Sequence, residues 1–327
     1  MKMDFFDHIQ VITEGYLTHR RRIRRIKKEK QKAKNLILDW LESFIWAAGA
    51  VLLINQYLFQ AYEIPSGSMI DTLLIGDRVF VNKIVFGPEL LPGVGKLPSP
   101  IKPKRNDVII FENPSYISKG PVFDIAQRII YMLTLSLVDI DRDEYGEPKA
   151  HFLIKRGVGW GGDQFIQEKG AFRIRFAGET RWVSEQDFNE GRNFNHRLSR
   201  LVAPKDYAVL ESAGKVTAYQ DLGLTPPSAL INAAASLNDM RYYDQFAYDR
   251  ARLEVLRGAQ PHNERYRTLH YSRYVQGWYI PEGRMFPLGD NRDNSRDGRY
   301  FGPIRETKVL GKGSIIYWPM VRIGSIR

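Results

Sequence analysis

The chain has 327 residues, of which 43% are hydrophobic, so it is long and apolar enough to bury a sizeable core. It contains no cysteine, which excludes disulfides, thiolate nucleophiles and cysteine-based zinc sites. The formal net charge is +11, and residues 1–42 hold 11 Lys and Arg against 6 Asp and Glu. The excess charge is therefore concentrated near the N-terminus, where its surroundings decide between a nucleic-acid and a membrane role.

The basic run at 20–34 is followed by an uncharged segment at 43–62. This segment has about the twenty residues that an α-helix needs to cross a bilayer. By the positive-inside rule, residues 1–42 form a cytoplasmic segment, residues 43–62 a single transmembrane helix and residues 63–327 an extracytoplasmic domain. The basic run next to this helix suits anionic lipid rather than nucleic acid.

Two alternatives compete with a membrane span at this segment. A cleavable signal peptide is disfavoured, because the apolar stretch begins some forty residues into the chain and is longer than a usual h-region. A buried core helix stays open, because Asn55 and Gln56 are polar and lie near the end of the segment.

Short apolar stretches rich in β-branched residues and broken by Pro and Gly follow the span, and they predict a mainly β domain with strands at 77–84, 107–111, 152–154, 172–176, 207–210 and 313–318. Two regions have helical patterns and are predicted as inserts, at about 115–150 and 187–275. Within the first insert, residues 122–140 have an apolar face but are too short to span a bilayer. This face either packs on the core or lies at the membrane surface.

The sequence IPSGSM at 64–69 places two hydroxyls, Ser66 and Ser68, directly after the predicted span. In extended backbone these two side chains point the same way. A serine needs a nearby base to act as a nucleophile. The same motif is also typical of a turn with side-chain to backbone hydrogen bonds, so alone it decides nothing.

Lysine is the candidate base, because the six histidines lie in the N-terminal tail, at His151 and in the second predicted insert. Lys155 follows the apolar strand at 152–154 and precedes the glycine-rich sequence RGVGWGGD at 156–163. Burial at the strand end would disfavour its ammonium form and lower its pKa. The alternative is an ordinary lysine whose head group reaches solvent.

A third cluster, PLGDNRDNSRDGRYFGP at 287–303, alternates acidic and basic residues among Asn, Ser and Gly. Such a loop can fix other groups through paired, charge-assisted hydrogen bonds. Apolar residues on both sides of it predict that the loop is packed rather than solvated.

In this order behind a membrane span, these motifs resemble the conserved boxes of bacterial type I signal peptidases, which are serine proteases with a Ser/Lys dyad. The matching segments are the serine box at 64–83, the next strand box at 102–111, the lysine box at 154–163 and the Gly-Asp-Asn box at 289–302. The resemblance implies an antiparallel β-sheet catalytic domain with helical inserts, resting on the membrane behind one transmembrane helix.

The resemblance also implies roles for individual residues. Ser68 would be the nucleophile, Lys155 its general base, and Ser66 would form the oxyanion hole with the Ser68 amide. Ile64 and Pro65 would bind substrate in an extended strand. The substrates would be signal-peptide-bearing preproteins, with no metal or cofactor involved.

A second group of matching residues would support the dyad. In the family pattern, Met69 follows the nucleophile, a serine hydrogen-bonds the lysine head, an acid lies near an arginine, and a further Asp–Arg pair braces the site. The supporting residues implied here are Met69, Ser295 at the lysine, Asp290 near Arg156, and Asp297 with Arg299.

The chain departs from the family pattern at two places. Asp71 stands where the family usually has Pro, and GWGGD at 159–163, with Trp160, replaces the usual Gly-Leu-Pro-Gly-Asp. Both positions neighbour the expected dyad without replacing it, so they bear on substrate preference or loop rigidity.

The sequence predicts a single-pass enzyme of the inner, cytoplasmic membrane. Its expected partners are signal-peptide-bearing preproteins, the lipid bilayer and the secretion machinery, and no nucleic acid. Two other functions stay open. One is a related Ser/Lys protease with another substrate, as in pilus assembly. The other is a catalytically silent membrane scaffold.

Overall fold

The structure is a computed structural model that describes residues 5–33, 36–91, 94–99, 101, 103–142, 146, 149–192, 198 and 200–326. The chain divides into two compact units, Met1–Leu52 and Leu53–Arg327. The first unit contains helix α1 (Phe5–Ala33) and most of helix α2 (Leu36–Tyr57).

One helical segment in the described part of the chain, Leu38–Tyr57, is long and apolar enough to cross a membrane. It has 20 residues and a mean hydropathy of 1.3, and almost none of it is buried. The predicted helix of membrane-spanning length and composition is confirmed, but it ends at Tyr57 rather than at residue 62, and strand β1 (Phe59–Glu63) follows it. Uncharged residues suit a membrane helix and a sheet strand equally, so composition did not locate the boundary.

The second unit is built on a large antiparallel sheet with the strand order β1-β2-β13-β5-β6-β11-β12, and β14 pairs with β13. A smaller sheet has the order β10-β7-β8-β9, and β3 and β4 form a separate hairpin. The remaining strands are β2 (Arg78–Asn82), β3 (Glu89–Leu91), β4 (Val94–Lys96), β5 (Val108–Glu112), β6 (Phe152–Trp160), β7 (Gln164–Glu168), β8 (Ala171–Arg175), β9 (Val183–Ser184), β10 (Trp278–Tyr279), β11 (Arg284–Leu288), β12 (Ile304–Arg305), β13 (Val309–Trp318) and β14 (Gly324–Ser325).

The predicted fold class, an antiparallel sheet with helices, is confirmed. One predicted strand is wrong, because residues 207–210 begin helix α5 (Tyr207–Asp221). The prediction used only the apolar run, whereas the next residues are good helix formers that extend it, and Leu210 is fully buried against the insert's own core.

Both predicted inserts are helical. The first lies between β5 and β6 and contains α3 (Pro121–Leu133). The second begins at Glu185 and contains α4 (Glu185–Gly191), α5, α6 (Ser228–Ala234), α7 (Gln245–Ala259) and α8 (Glu264–His270). A short helix, α9 (Gly298–Phe301), lies in the C-terminal polar cluster. The Ser68 turn lies between β1 and β2 and the Gly-Asp-Asn box at 289–302 lies between β11 and β12, so strands of the main sheet flank both motifs.

Candidate active site

Ser68 lies in a single 3₁₀ turn, Gly67–Met69, that follows β1 closely. The preceding Ser66 is extended, with φ −137° and ψ 156°, so the chain turns at Ser68 rather than continuing straight. Ser66 Oγ nevertheless lies 3.5 Å from Ser68 Oγ. Ser68 is 5% exposed and Met69 is fully buried, so the turn is held by the core beneath it.

Lys155 lies inside β6, opposite Ile109 of β5. The strand does not end at Ile154 as predicted but continues to Trp160, because glycines at 157 and 159 fit against β11. The Lys155 side chain is buried, and its Nζ lies 2.6 Å from Ser68 Oγ. It also donates to the Ile154 carbonyl at 2.9 Å.

Burial is the main influence on the Lys155 ammonium, and it lowers the pKa of Lys155 to about 8. The carboxylates of Asp297 and Asp290 act in the opposite direction and raise this pKa. Burial also lowers the pKa of Lys83 to about 8, although Glu89 raises it. A low pKa therefore does not single out the candidate base, whereas the hydrogen bond to Ser68 does.

The polar C-terminal loop binds the backbone of the Ser68 turn directly. Asn291 N donates to Ser68 O at 3.1 Å, and Asn291 Nδ2 donates to Gly67 O at 2.9 Å. A Cβ atom at Gly289 would lie 2.6 Å from Ser68 O and 2.1 Å from Ser295 Oγ, so only glycine fits there. The sequence prediction named neither Asn291 nor Gly289 individually, although both belong to the Gly-Asp-Asn motif that it singled out.

Arg156 and Asp290 form a buried, bidentate ion pair next to Lys155. Arg156 Nε and Nη2 donate to the two Asp290 oxygens at 2.8 and 2.6 Å, and Thr72 Oγ1 donates to Asp290 Oδ2 at 2.5 Å. Arg156 Nη1 also donates to the Asn106 carbonyl at 2.7 Å. The pair thus ties β6 to the C-terminal loop in the proximity that the sequence predicted.

Asp297 and Arg299 form a second buried pair, with Arg299 Nε donating to Asp297 Oδ1 at 2.8 Å. Arg299 and the Gly289 amide, which donates at 3.0 Å, hold the pKa of Asp297 below its usual value despite burial, which acts to raise it. Ser295 is buried beside Gly289, and in the described structure its Oγ makes no hydrogen bond to Lys155. The predicted Ser295–lysine hydrogen bond is therefore not present in this arrangement.

A third ion pair joins the loop to the second insert. Arg292 donates to both oxygens of Glu185 at 2.5 and 2.6 Å, and both side chains are buried. Glu185 is the first residue of α4. The sequence prediction missed this pair because its partners are 107 residues apart and, although Arg292 belongs to the polar cluster at 287–303, Glu185 lies in no motif.

The two departures from the family pattern have local structural reasons. Asp71 has φ 82°, a left-handed conformation that proline, fixed near −65°, cannot adopt. Trp160 lies under the Arg105 guanidinium, 5.5 Å from the ring centre, and Arg105 also pairs with Asp163. At the end of the lysine box, the Trp160 ring therefore packs against Arg105, which also holds Asp163.

His151, which precedes the lysine box, is bound within the first insert rather than to Ser68. His151 Nε2 lies 2.8 Å from Asp141 Oδ2, and its ring packs on Tyr116 within the first insert. The arrangement therefore offers a serine with a buried lysine, a neighbouring hydroxyl and two neutralised carboxylates, which is a set suited to acyl transfer.

Comparisons with known proteins agree with this geometry. A family model described as "Signal peptidase, peptidase S26" matches residues 37–218 and 227–318. Similar curated proteins include Signal peptidase I of Haemophilus influenzae, 26% identical with 88% of this chain and 73% of the relative covered, and Signal peptidase I of Aquifex aeolicus, 27% identical with 82% and 79% covered. Signal peptidase I of Pseudomonas aeruginosa is 26% identical, with 91% and 79% covered. With a family match over most of its length, a membrane-spanning helix and an antiparallel catalytic sheet, this chain belongs to the signal peptidase family, peptidase S26, and is a membrane-anchored hydrolase of that family.

Proposed function

We propose that this chain removes N-terminal signal peptides from secreted preproteins, with Ser68 as the nucleophile and Lys155 as the general base. The buried 2.6 Å contact between Lys155 Nζ and Ser68 Oγ is the observation that carries the assignment. A pKa of about 8 leaves a working fraction of Lys155 neutral near physiological pH.

The proposed reaction begins when neutral Lys155 accepts the Ser68 hydroxyl proton and Ser68 Oγ attacks the scissile carbonyl. The leaving amine takes this proton from Lys155, and an ester to Ser68 remains. Lys155 then takes a proton from a water molecule whose oxygen attacks the ester carbonyl, and it returns this proton to Ser68 Oγ as the acyl group leaves. Ser66 Oγ and the Ser68 amide stabilise the oxyanion, and a donor of this kind contributes about 3 kcal/mol to the transition state.

The substrate would bind as an extended strand beside residues 63–65. Ile64 uses both of its main-chain groups inside the domain, because it donates to Asp77 O and accepts from Gly76 N, each at 2.9 Å. The main-chain oxygens of Glu63 and Pro65 therefore face the opposite side, where a peptide can add to the edge. The Ile64 side chain is buried in the core and shapes this site from below.

The finer membrane placement belongs to the same proposal. The basic run at 20–34 on one side of α2 favours a cytoplasmic N-terminus and an extracytoplasmic catalytic unit in the inner membrane, and the unit would contact the secretion machinery there. Because the natural chain lacks cysteine, single cysteines placed before and after α2 would report their side of the membrane by reagent accessibility.

The test of the dyad is cleavage of one preprotein whose signal peptide ends in Ala-x-Ala, by the purified full-length protein in vesicles. Ser68→Ala and Lys155→Ala are expected to lose cleavage, while Lys83→Ala, which removes a different buried lysine, retains it. A lactam-type acylating inhibitor should modify Ser68 in the wild type only. Substantial cleavage by Lys155→Ala would refute the base assignment, and an unreactive Ser68 would favour a silent scaffold.

A further inference from the structure

The first insert leaves a continuous apolar surface uncovered by any described residue. Helix α3 exposes Val122, Ile125, Ala126, Ile129 and Leu133, and this set is the α3 apolar face. Their spacing places them on one side of the helix. Every exposed side chain of α3 that the structure describes is apolar, which is the reverse of the pattern for a helix facing water.

The exposed apolar surface continues beyond the end of α3. The next exposed side chains are also apolar, and they are Leu135, Leu137, Val138 and Ile140. Large contiguous apolar patches on a soluble surface indicate an interaction site.

The other side of α3 is fixed to the catalytic unit by polar contacts. Arg128 binds Glu89 of β3 and Glu112 of β5, each at 3.1 Å. The Tyr131 ring packs 6.0 Å from the Tyr62 ring, which lies in β1. These contacts determine the rotation of α3 about its axis, so its apolar side points outward as part of the fold.

This position places α3 next to the point where the chain leaves the bilayer. The last turn of α2 belongs to the same compact unit, and there Gln56 Nε2 donates to Glu89 O at 3.0 Å. Tyr57 OH donates to Leu90 O at 2.9 Å. Arg128 binds the Glu89 side chain, so one residue of the β3–β4 hairpin contacts both the last turn of α2 and α3.

We propose that the α3 apolar face lies in the lipid bilayer interface, as a second membrane contact of the catalytic unit in addition to α2. With 13 residues, α3 is too short to span the hydrocarbon layer and suits a position in the interfacial plane. Lipid is the occupant because α3 adjoins the last turn of α2 through Glu89, while its apolar face stays exposed. The contact would orient the catalytic sheet toward substrates held in the same bilayer.

Labelling of the full-length protein tests this contact without any assay of cleavage. In this cysteine-free chain, Ile125→Cys carries one environment-sensitive fluorophore in vesicles that contain nitroxide-labelled lipids. Ile231→Cys on α6 is the matched control, because Ile125 is 46% exposed and Ile231 is 47% exposed. We expect several-fold stronger lipid quenching at position 125 than at position 231. Equal quenching would overturn the proposal, and so would a blue-shifted but unquenched probe at 125, which indicates a protein occupant.

The catalytic consequence rests on the proposed signal-peptide cleavage and is measured separately. Ile125→Asp should slow cleavage of a bilayer-anchored preprotein several-fold, with unchanged cleavage of a short soluble peptide, and Ile231→Asp should change neither. Equal loss on both substrates would indicate damage to the fold and contradict this orienting role. Because quenching needs no substrate, its result stands even if the proposed function fails.

Discussion

Replacing Lys155 by methionine should abolish cleavage and yet stabilise the catalytic unit. Burial lowers the pKa of Lys155 from 10.5 to about 8. While it is ionised, such a lysine opposes folding by about 3 kcal/mol, since each pKa unit corresponds to about 1.4 kcal/mol. Methionine keeps most of the side-chain volume and carries no charge. Lys155→Met should therefore raise the free energy of unfolding at pH 7 by up to ~3 kcal/mol.

The pH dependence of this gain distinguishes a buried charge from better packing. Below pH 8, Lys155 is protonated in both the folded and the unfolded wild-type protein, so Lys155→Met gives its full increase in stability. Between pH 8 and 10.5 the unfolded lysine keeps the proton that the folded lysine has lost, so wild-type stability rises with pH and the gain shrinks. Urea unfolding of the full-length protein in micelles, followed by tryptophan fluorescence, measures both. A destabilised Lys155→Met, or a gain independent of pH, would refute the reasoning.

Lys83 is the matched control for a buried lysine, because burial also lowers its pKa to about 8. Lys83→Met should show a comparable stability change with pH. Because Lys83 is outside the Ser68 contact, this variant should keep both cleavage and inhibitor acylation. Loss of acylation in Lys83→Met would mean that activity depends on buried lysines in general and not on the dyad.

Three further predictions concern the same site. The wild-type kcat/KM should rise about tenfold from pH 7 to pH 9, as the neutral base fraction grows around a pKa of about 8, and a flat profile would contradict the lysine base. Asn291→Ala removes the hydrogen bond to Gly67 O and should lower kcat by ~10- to 100-fold with a smaller change in KM, whereas a change in KM alone would contradict a role in placing Ser68. Arg292→Met leaves Glu185 buried without its ion-pair partner and should cost about 3–5 kcal/mol of stability in urea unfolding; the double variant with Glu185→Leu should recover much of it, and no recovery would argue against the pair.

The sequence predicted the anchored β architecture well, because its signals are local. An uncharged segment of membrane length and short β-branched runs each identify their element without tertiary information. The end of α2 was misplaced because residues 59–62 are as apolar as the helix before them, and only their pairing with β2 makes them a strand. Asn55 and Gln56 looked anomalous for a membrane span, and the structure explains them, because this last turn belongs to the catalytic unit.

The candidate site could be predicted only where a residue type implies its chemistry. Ser68 and Lys155 satisfy the requirements of a nucleophile and a base, and the structure places them in contact. The contacts of Asn291 with the Ser68 turn and of Arg292 with Glu185 join segments that are far apart in the sequence. No local sequence pattern indicates that these segments meet.

Two buried aspartates, Asp290 and Asp297, lie near Lys155, and each forms an ion pair with an arginine. An uncompensated carboxylate in this low-dielectric site would favour the ammonium form and raise the pKa of Lys155 toward its value in water. Asp290 is instead ion-paired with Arg156, and Asp297 is ion-paired with Arg299. The positive charge of Arg299 also lowers the pKa of Lys155. The same carboxylates bind the Gly289 amide and Thr72, so they position the loop against the nucleophile. Each aspartate can therefore act as a structural ligand near the base because its arginine limits the electrostatic effect on that base.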